Sequence, residues 1–132
     1  MTIRIGPGYP GDRLAATTFA IRDRLAVDGC EAIVLEIADG LLMPETARLL
    51  KVLHGEVDGV ILATGDALSA RAGIDILTDL DLPVRCLSGV VSRSPLAARE
   101  ALRATGLPVR TIAELAAGDA LDLLPAADAA AR

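Results

Sequence analysis

The sequence predicts a doubly wound α/β domain of three layers, with a mostly parallel sheet of four or five strands. Three observations predict it. Short aliphatic runs begin near Ala32, Gly59, Val84 and Val109, and each is followed by a segment with helical spacing. The runs are apolar throughout rather than alternating, as strands covered on both faces are. The local pattern also repeats: Val-Asp-Gly precedes the first two runs and Leu-Pro-Val-Arg opens the last two. Regular strand–helix alternation is the signature of βαβ units with parallel strands.

The chain starts with Ile3 and Ile5, then a loop of three glycines and two prolines that excludes helix. Leu14, Thr18, Ile21 and Leu25 then recur at helical spacing, and Asp28–Gly29 ends that helix with a glycine able to take the left-handed cap. Ala32 to Ile37 is the first buried strand. A helix opens at Pro44, with Glu45 in its first turn and Ala47, Leu50 and Leu53 on one face. Gly59 to Thr64 is the next strand. A helix from about Ala67 to Leu80 follows, capped by Asp66, and the four-residue spacing of Leu68, Ala72, Ile76 and Leu80 marks its expected inner face.

Val84 to Ser88 is a third strand. Ser94 caps the next helix, Pro95 occupies its first turn and Gly106 closes it. A short strand at Val109 precedes a last helical stretch from about Ala113 to Leu124. The whole of 1–132 reads as one domain, with a loop-rich start at 1–12 and a tail at 125–132 expected to fray.

Composition narrows the function. The 132 residues are 52% hydrophobic but only 2% aromatic, so the core is aliphatic and aromatic stacking on bases is unavailable. Thirteen basic against 18 acidic residues give a net charge of −5, the wrong sign for gripping a phosphate backbone, so nucleic acid is excluded as a partner. No apolar run reaches the length of a membrane span and the first residues lack a signal-peptide pattern, so the expectation is a cytoplasmic protein away from the membrane. Cys30 and Cys86 lack metal-ligand spacing and read as reduced thiols.

In an open parallel sheet, ligands collect beyond the carboxyl ends of the strands. The residues there are Gly6 and Gly8 after the opening pair, Glu36, Asp39 and Gly40 after the first run, Thr64 and Asp66 after the second, Ser88, Gly89, Ser92, Arg93 and Ser94 after the third, and Thr111 after the last. Glu36 and Asp39 are the sharpest pair. A carboxylate at the end of a buried strand is costly unless it is paired or meets a cation, and magnesium takes few carboxylates while keeping several waters. The structural reading is that Glu36 meets an arginine and Asp39 shapes the turn with Gly40. Ser92, Arg93 and Ser94 precede a helix start, where free N–H groups and the helix dipole favour an anion, although capping alone explains Ser94. The glycine-rich first loop does not match G-x-x-x-x-G-K-S/T, and Lys51 is the only lysine. His54, the only histidine, falls at a helix end and reads as structural.

The segments EAIVLEIADG, GVILATGD and PVRCLSGVVS, over residues 30 to 95, resemble the later half of P-loop NTPase domains of the dethiobiotin-synthetase-like class. That resemblance implies that Glu36 or Asp39 stands on the metal side and that Ser88 and Gly89 belong to a later nucleotide loop. The family's phosphate-binding loop and its lysine have no counterpart here. GVILATGDAL also resembles a segment of aspartate/glutamate racemase-like domains, but Gly65 stands where that family carries a cysteine.

Two expectations follow. One is a binding domain for a nucleotide or other small anionic ligand, without hydrolysis by itself. The other is a structural or interaction module that forms a homo-oligomer or completes a larger partner enzyme.

Overall fold

The computed structural model describes residues 2–3, 11–30, 32–119 and 121–123. The glycine-rich loop around Gly6 and Gly8 and the tail at 125–132 lie outside the described residues. Internal contacts divide the chain into two compact units, Met1–Leu53 and His54–Arg132.

In the first unit, β1 (Thr2–Ile3) pairs in parallel with β2 (Glu36–Ile37), joined through α1 (Gly11–Val27). Leu14 and Thr18 form the buried face of α1, as the spacing predicts, and the Thr18 hydroxyl donates back to the Leu14 carbonyl at 2.9 Å. Gly29 takes φ 81 and Cys30 N–H reaches the Leu25 carbonyl, closing the helix at the expected glycine. The second helix of the unit, α2 (Pro44–Val52), packs on α1 through buried Thr46, Leu49 and Leu50.

The second unit starts with β3 (Val60–Ala63), then α3 (Ala67–Thr78), β4 (Val84–Ser88), a 3-10 turn over Gly89–Arg93, and α4 (Pro95–Thr105). β3 and β4 pair in parallel, with a register irregularity between Val60 and Ile61. α3 packs against α4, so both lie on one side of the strand pair; helices on opposite faces of a sheet are separated by the sheet itself. The core of the unit is aliphatic: Leu62, Leu77, Leu82, Leu87 and Val91, with Ala70 and Ala101 where the helices approach.

The expected sheet of four or five strands does not form. The structure is helix-rich, and the described strands pair only two by two. Two local causes account for this. The run Ala32–Ile37 is not buried on both faces; Val34 is 74% exposed and only Glu36–Ile37 pairs. At Val109 the expected strand shrinks to one parallel bridge with Leu87, because Pro108 has no N–H to continue a ladder. Its carbonyl accepts from Leu87 N–H, and Arg110 N–H donates to the Leu87 carbonyl.

Two helices also differ from expectation. In α3 the inner face is Ala67, Ala70, Gly73 and Leu77, whereas Leu68 points outward at 83% exposure. Small residues let this helix seat closely, and that outweighs the larger side chains spaced by four. The expected helix from Ala113 to Leu124 is broken into a three-residue turn, Ile112–Glu114, a π-type turn over Leu115–Asp119 and a 3-10 turn at Leu121–Leu123. Gly118, at φ 117, interrupts it.

Candidate functional site

The predicted site residues fall on both units. In the first unit Glu36 lies on β2 and is exposed, as are Asp39 and Gly40. Gly40 shapes a turn: its carbonyl accepts from Met43 N–H at 3.0 Å, just ahead of α2. Since Glu36 is not buried, the desolvation argument for a cation beside it does not apply. Among the described residues no three acidic, histidine or cysteine side chains gather as a metal site would require.

In the second unit the structure joins the exits of β3 and β4. Thr64 N–H donates to the Ser88 carbonyl at 3.0 Å, and Val91 N–H donates to the Thr64 carbonyl at 3.0 Å. Between them sits Gly89 at φ 86. A Cβ on it would lie 3.1 Å from the Thr64 nitrogen and 3.2 Å from the Thr64 oxygen. A side chain at Gly89 thus meets both an unfavourable backbone angle and a neighbouring peptide. This contact holds Thr64, Ser88 and Gly89 together as one edge.

Helix starts flank the edge. Asp66 caps α3 by accepting from Ser69 N–H at 2.8 Å, and the Ser69 hydroxyl reaches back to the Asp66 carboxylate at 3.0 Å and to the Thr64 hydroxyl at 2.7 Å. The Ser69 backbone hydrogen bond, joined by that from the Ser69 hydroxyl, holds the Asp66 carboxyl below its ordinary range. Asp66 is therefore an anion at neutral pH, standing where a bound anion would approach α3. At α4 the Ser94 hydroxyl accepts from Ala97 N–H at 3.4 Å, and Ser92 donates to the Gly89 carbonyl at 2.7 Å. Both helix starts thus use their own side chains for caps. Arg93 is exposed and makes no ion pair among the described residues.

Sequence reasoning missed Ser69, whose place three residues after Asp66 is the capping-box spacing. It also missed three aliphatic side chains at this edge: Leu68 in the first turn of α3, Val90 in the 3-10 turn after β4 and Leu96 in the first turn of α4, exposed by 83%, 61% and 69%. No helix among the described residues is long and apolar enough to cross a membrane. Comparison of the chain with protein-family models, with curated proteins and with solved structures gave no match.

Proposed function

We propose that this chain is an interaction module that assembles with itself through aliphatic side chains displayed where its helices begin. The observation that carries the reading is the exposure of Leu68, Val90 and Leu96 around one strand edge. Leu68 and Leu96 stand in the first turns of two packed helices and Val90 in the turn before α4, and aliphatic side chains exposed at such positions supply the apolar area that an association surface needs. Burying a leucine or valine side chain stabilises a contact by roughly 1.5–3 kcal/mol, so a few such residues suffice for a weak complex. A reducing cytoplasm suits Cys30 and Cys86, which are both free thiols.

Light scattering against concentration tests the reading, comparing the parent chain with Leu68→Ser/Val90→Ser/Leu96→Ser. The parent gains mass with concentration, and the triple variant stays monomeric with an unchanged circular-dichroism spectrum. A parent that stays monomeric throughout contradicts it.

A second reading is a site for a nucleotide or other small anion at the same edge, with magnesium as its cofactor. It rests on Arg93, exposed and without an ion pair among the described residues, beside the Ser92 and Ser94 hydroxyls. Calorimetry with ATP, GTP and phosphate, each with magnesium, tests it; no heat and no thermal shift would remove it.

A further inference from the structure

A cleft of about 570 Å³ opens at the amino ends of β3 and β4, on the opposite edge from Thr64 and Ser88. Its volume lies in the range of small-ligand sites, roughly 300–1,000 Å³. Val57, Ile74, Leu82 and Leu107 make an aliphatic wall. Two helices end against it: α3 stops at Thr78 and α4 at Thr105, and both threonines line the cleft. A helix carries partial negative charge at its C-terminus. Asp81 is the only charged residue among those that line the cleft.

Asp81 stands there at a cost. Among the described residues it is the only one other than glycine at positive φ, with φ 52. Its N–H donates to the Thr78 carbonyl at 2.9 Å and the Leu82 N–H donates to the Leu77 carbonyl at 2.9 Å, the paired bonds of a Schellman end. Glycine suits this position, and a carboxylate just past a helix C-terminus is repelled by the dipole. α1 and α4 do turn at glycines, Gly29 at φ 81 and Gly106 at φ 75. Capping therefore does not account for the acid at the end of α3.

The Asp81 carboxylate makes no hydrogen bond or ion pair among the described residues. The basic side chains next to cleft residues in sequence are engaged elsewhere. His54 Nδ1 meets the Leu80 carbonyl at 3.3 Å, and Arg85 donates to the Asp58 carbonyl at 3.1 and 3.2 Å. Arg103 lines a separate depression with Glu100. We propose that the cleft binds a primary aliphatic amine, with its ammonium group on the Asp81 carboxylate and its alkyl chain along Val57, Ile74, Leu82 and Leu107. The acid and both helix ends select a cation, and the aliphatic wall selects one with a hydrocarbon body. A single exposed ion pair contributes little, so dissociation falls in about the millimolar range. The site is independent of the leucines at the other edge.

Titration with n-hexylamine, followed by the backbone amide NMR shifts, tests the proposal, with n-hexanol, hexanoate and ammonium chloride as controls. Hexylamine shifts the amides of Asp81, Leu82, Thr105 and Leu107 saturably, whereas hexanoate and ammonium leave them in place. Hexanol binds at least about threefold more weakly, as the loss of one exposed ion pair requires. Asp81→Asn, which tolerates the left-handed angle, weakens hexylamine by a similar factor. Asp81→Gly raises the melting temperature and weakens the amine as much, which separates lost binding from lost folding. The proposal is overturned if hexylamine moves none of these amides up to about 50 mM, or if hexanol or hexanoate binds as well. Unchanged binding to Asp81→Asn, or an Asp81→Gly chain no more stable than the parent, overturns it too.

Discussion

The Gly89 backbone lies so close to Thr64 that a Cβ on Gly89 would sit 3.1 Å from the Thr64 nitrogen. This contact fastens the exit of β4 to the exit of β3 and sets the edge from which α3 and the turn before α4 depart. An l-residue held at positive φ costs about 1–2 kcal/mol before any clash. Gly89→Ala is therefore expected to lose about 2–3 kcal/mol, because a peptide rather than a flexible side chain blocks the methyl group. Urea denaturation measures the loss; one below about 0.5 kcal/mol would show that the edge opens freely.

The inner face of α3 predicts a contrast between two leucines. Leu77 is 1% exposed and Leu68 is 83% exposed. Leu77→Ala is expected to cost about 2–5 kcal/mol through its lost burial and the cavity left behind. Leu68→Ala should stay within about 0.5 kcal/mol, as an exposed substitution does. Equal losses in thermal or urea unfolding would restore the face that the spacing of Leu68, Ala72, Ile76 and Leu80 suggests.

That contrast shows where the sequence is readable and where it is not. Helix ends are local chemistry, so Gly29, Asp66, Ser94 and Gly106 could be assigned without a fold, and all four close or cap helices. β4 occupies the range expected from Val84 to Ser88. Which side of α3 faces inward is decided by what it packs on, and there Ala70 and Gly73 outrank larger residues. Strand pairing is likewise non-local: an aliphatic run such as Ala32–Ile37 reads as a buried strand, yet Val34 is exposed. At the candidate edge the sequence pointed to Thr64, Asp66, Ser88 and Gly89, which the structure joins. Leu68 and Leu96 were hidden because an aliphatic residue in a helix is read as core until its face is known.

Asp66 gives a pH dependence of definite sign. Its folded-state carboxyl titrates below the ordinary value of 3.8, first because of the Ser69 backbone N–H and then the Ser69 hydroxyl. A carboxyl lowered on folding stabilises the fold above its unfolded value, and that contribution fades as pH falls through the folded one. Asp66→Ala should therefore lower the melting temperature at pH 7. The gap to the parent should narrow once the pH drops well below 3.8. A gap of constant size across that range would show that the carboxylate charge has no part in the cap.

The cysteines should react at different rates. Cys30 is exposed, whereas Cys86 is wholly buried, and burial pushes its thiol up despite the nearby Arg110 charge. Since the thiolate is the nucleophile, a thiol reagent at mildly alkaline pH should label Cys30 promptly in the native chain and Cys86 only on unfolding. Prompt labelling of both would mean that β4 is open to solvent.

The central claim is association through the exposed leucines and valine, and sedimentation velocity at rising concentration tests it most directly. The account predicts a sedimentation coefficient that climbs with concentration and stays at the monomer value in Leu68→Ser/Val90→Ser/Leu96→Ser. A parent chain with a flat monomer value at every concentration would contradict it.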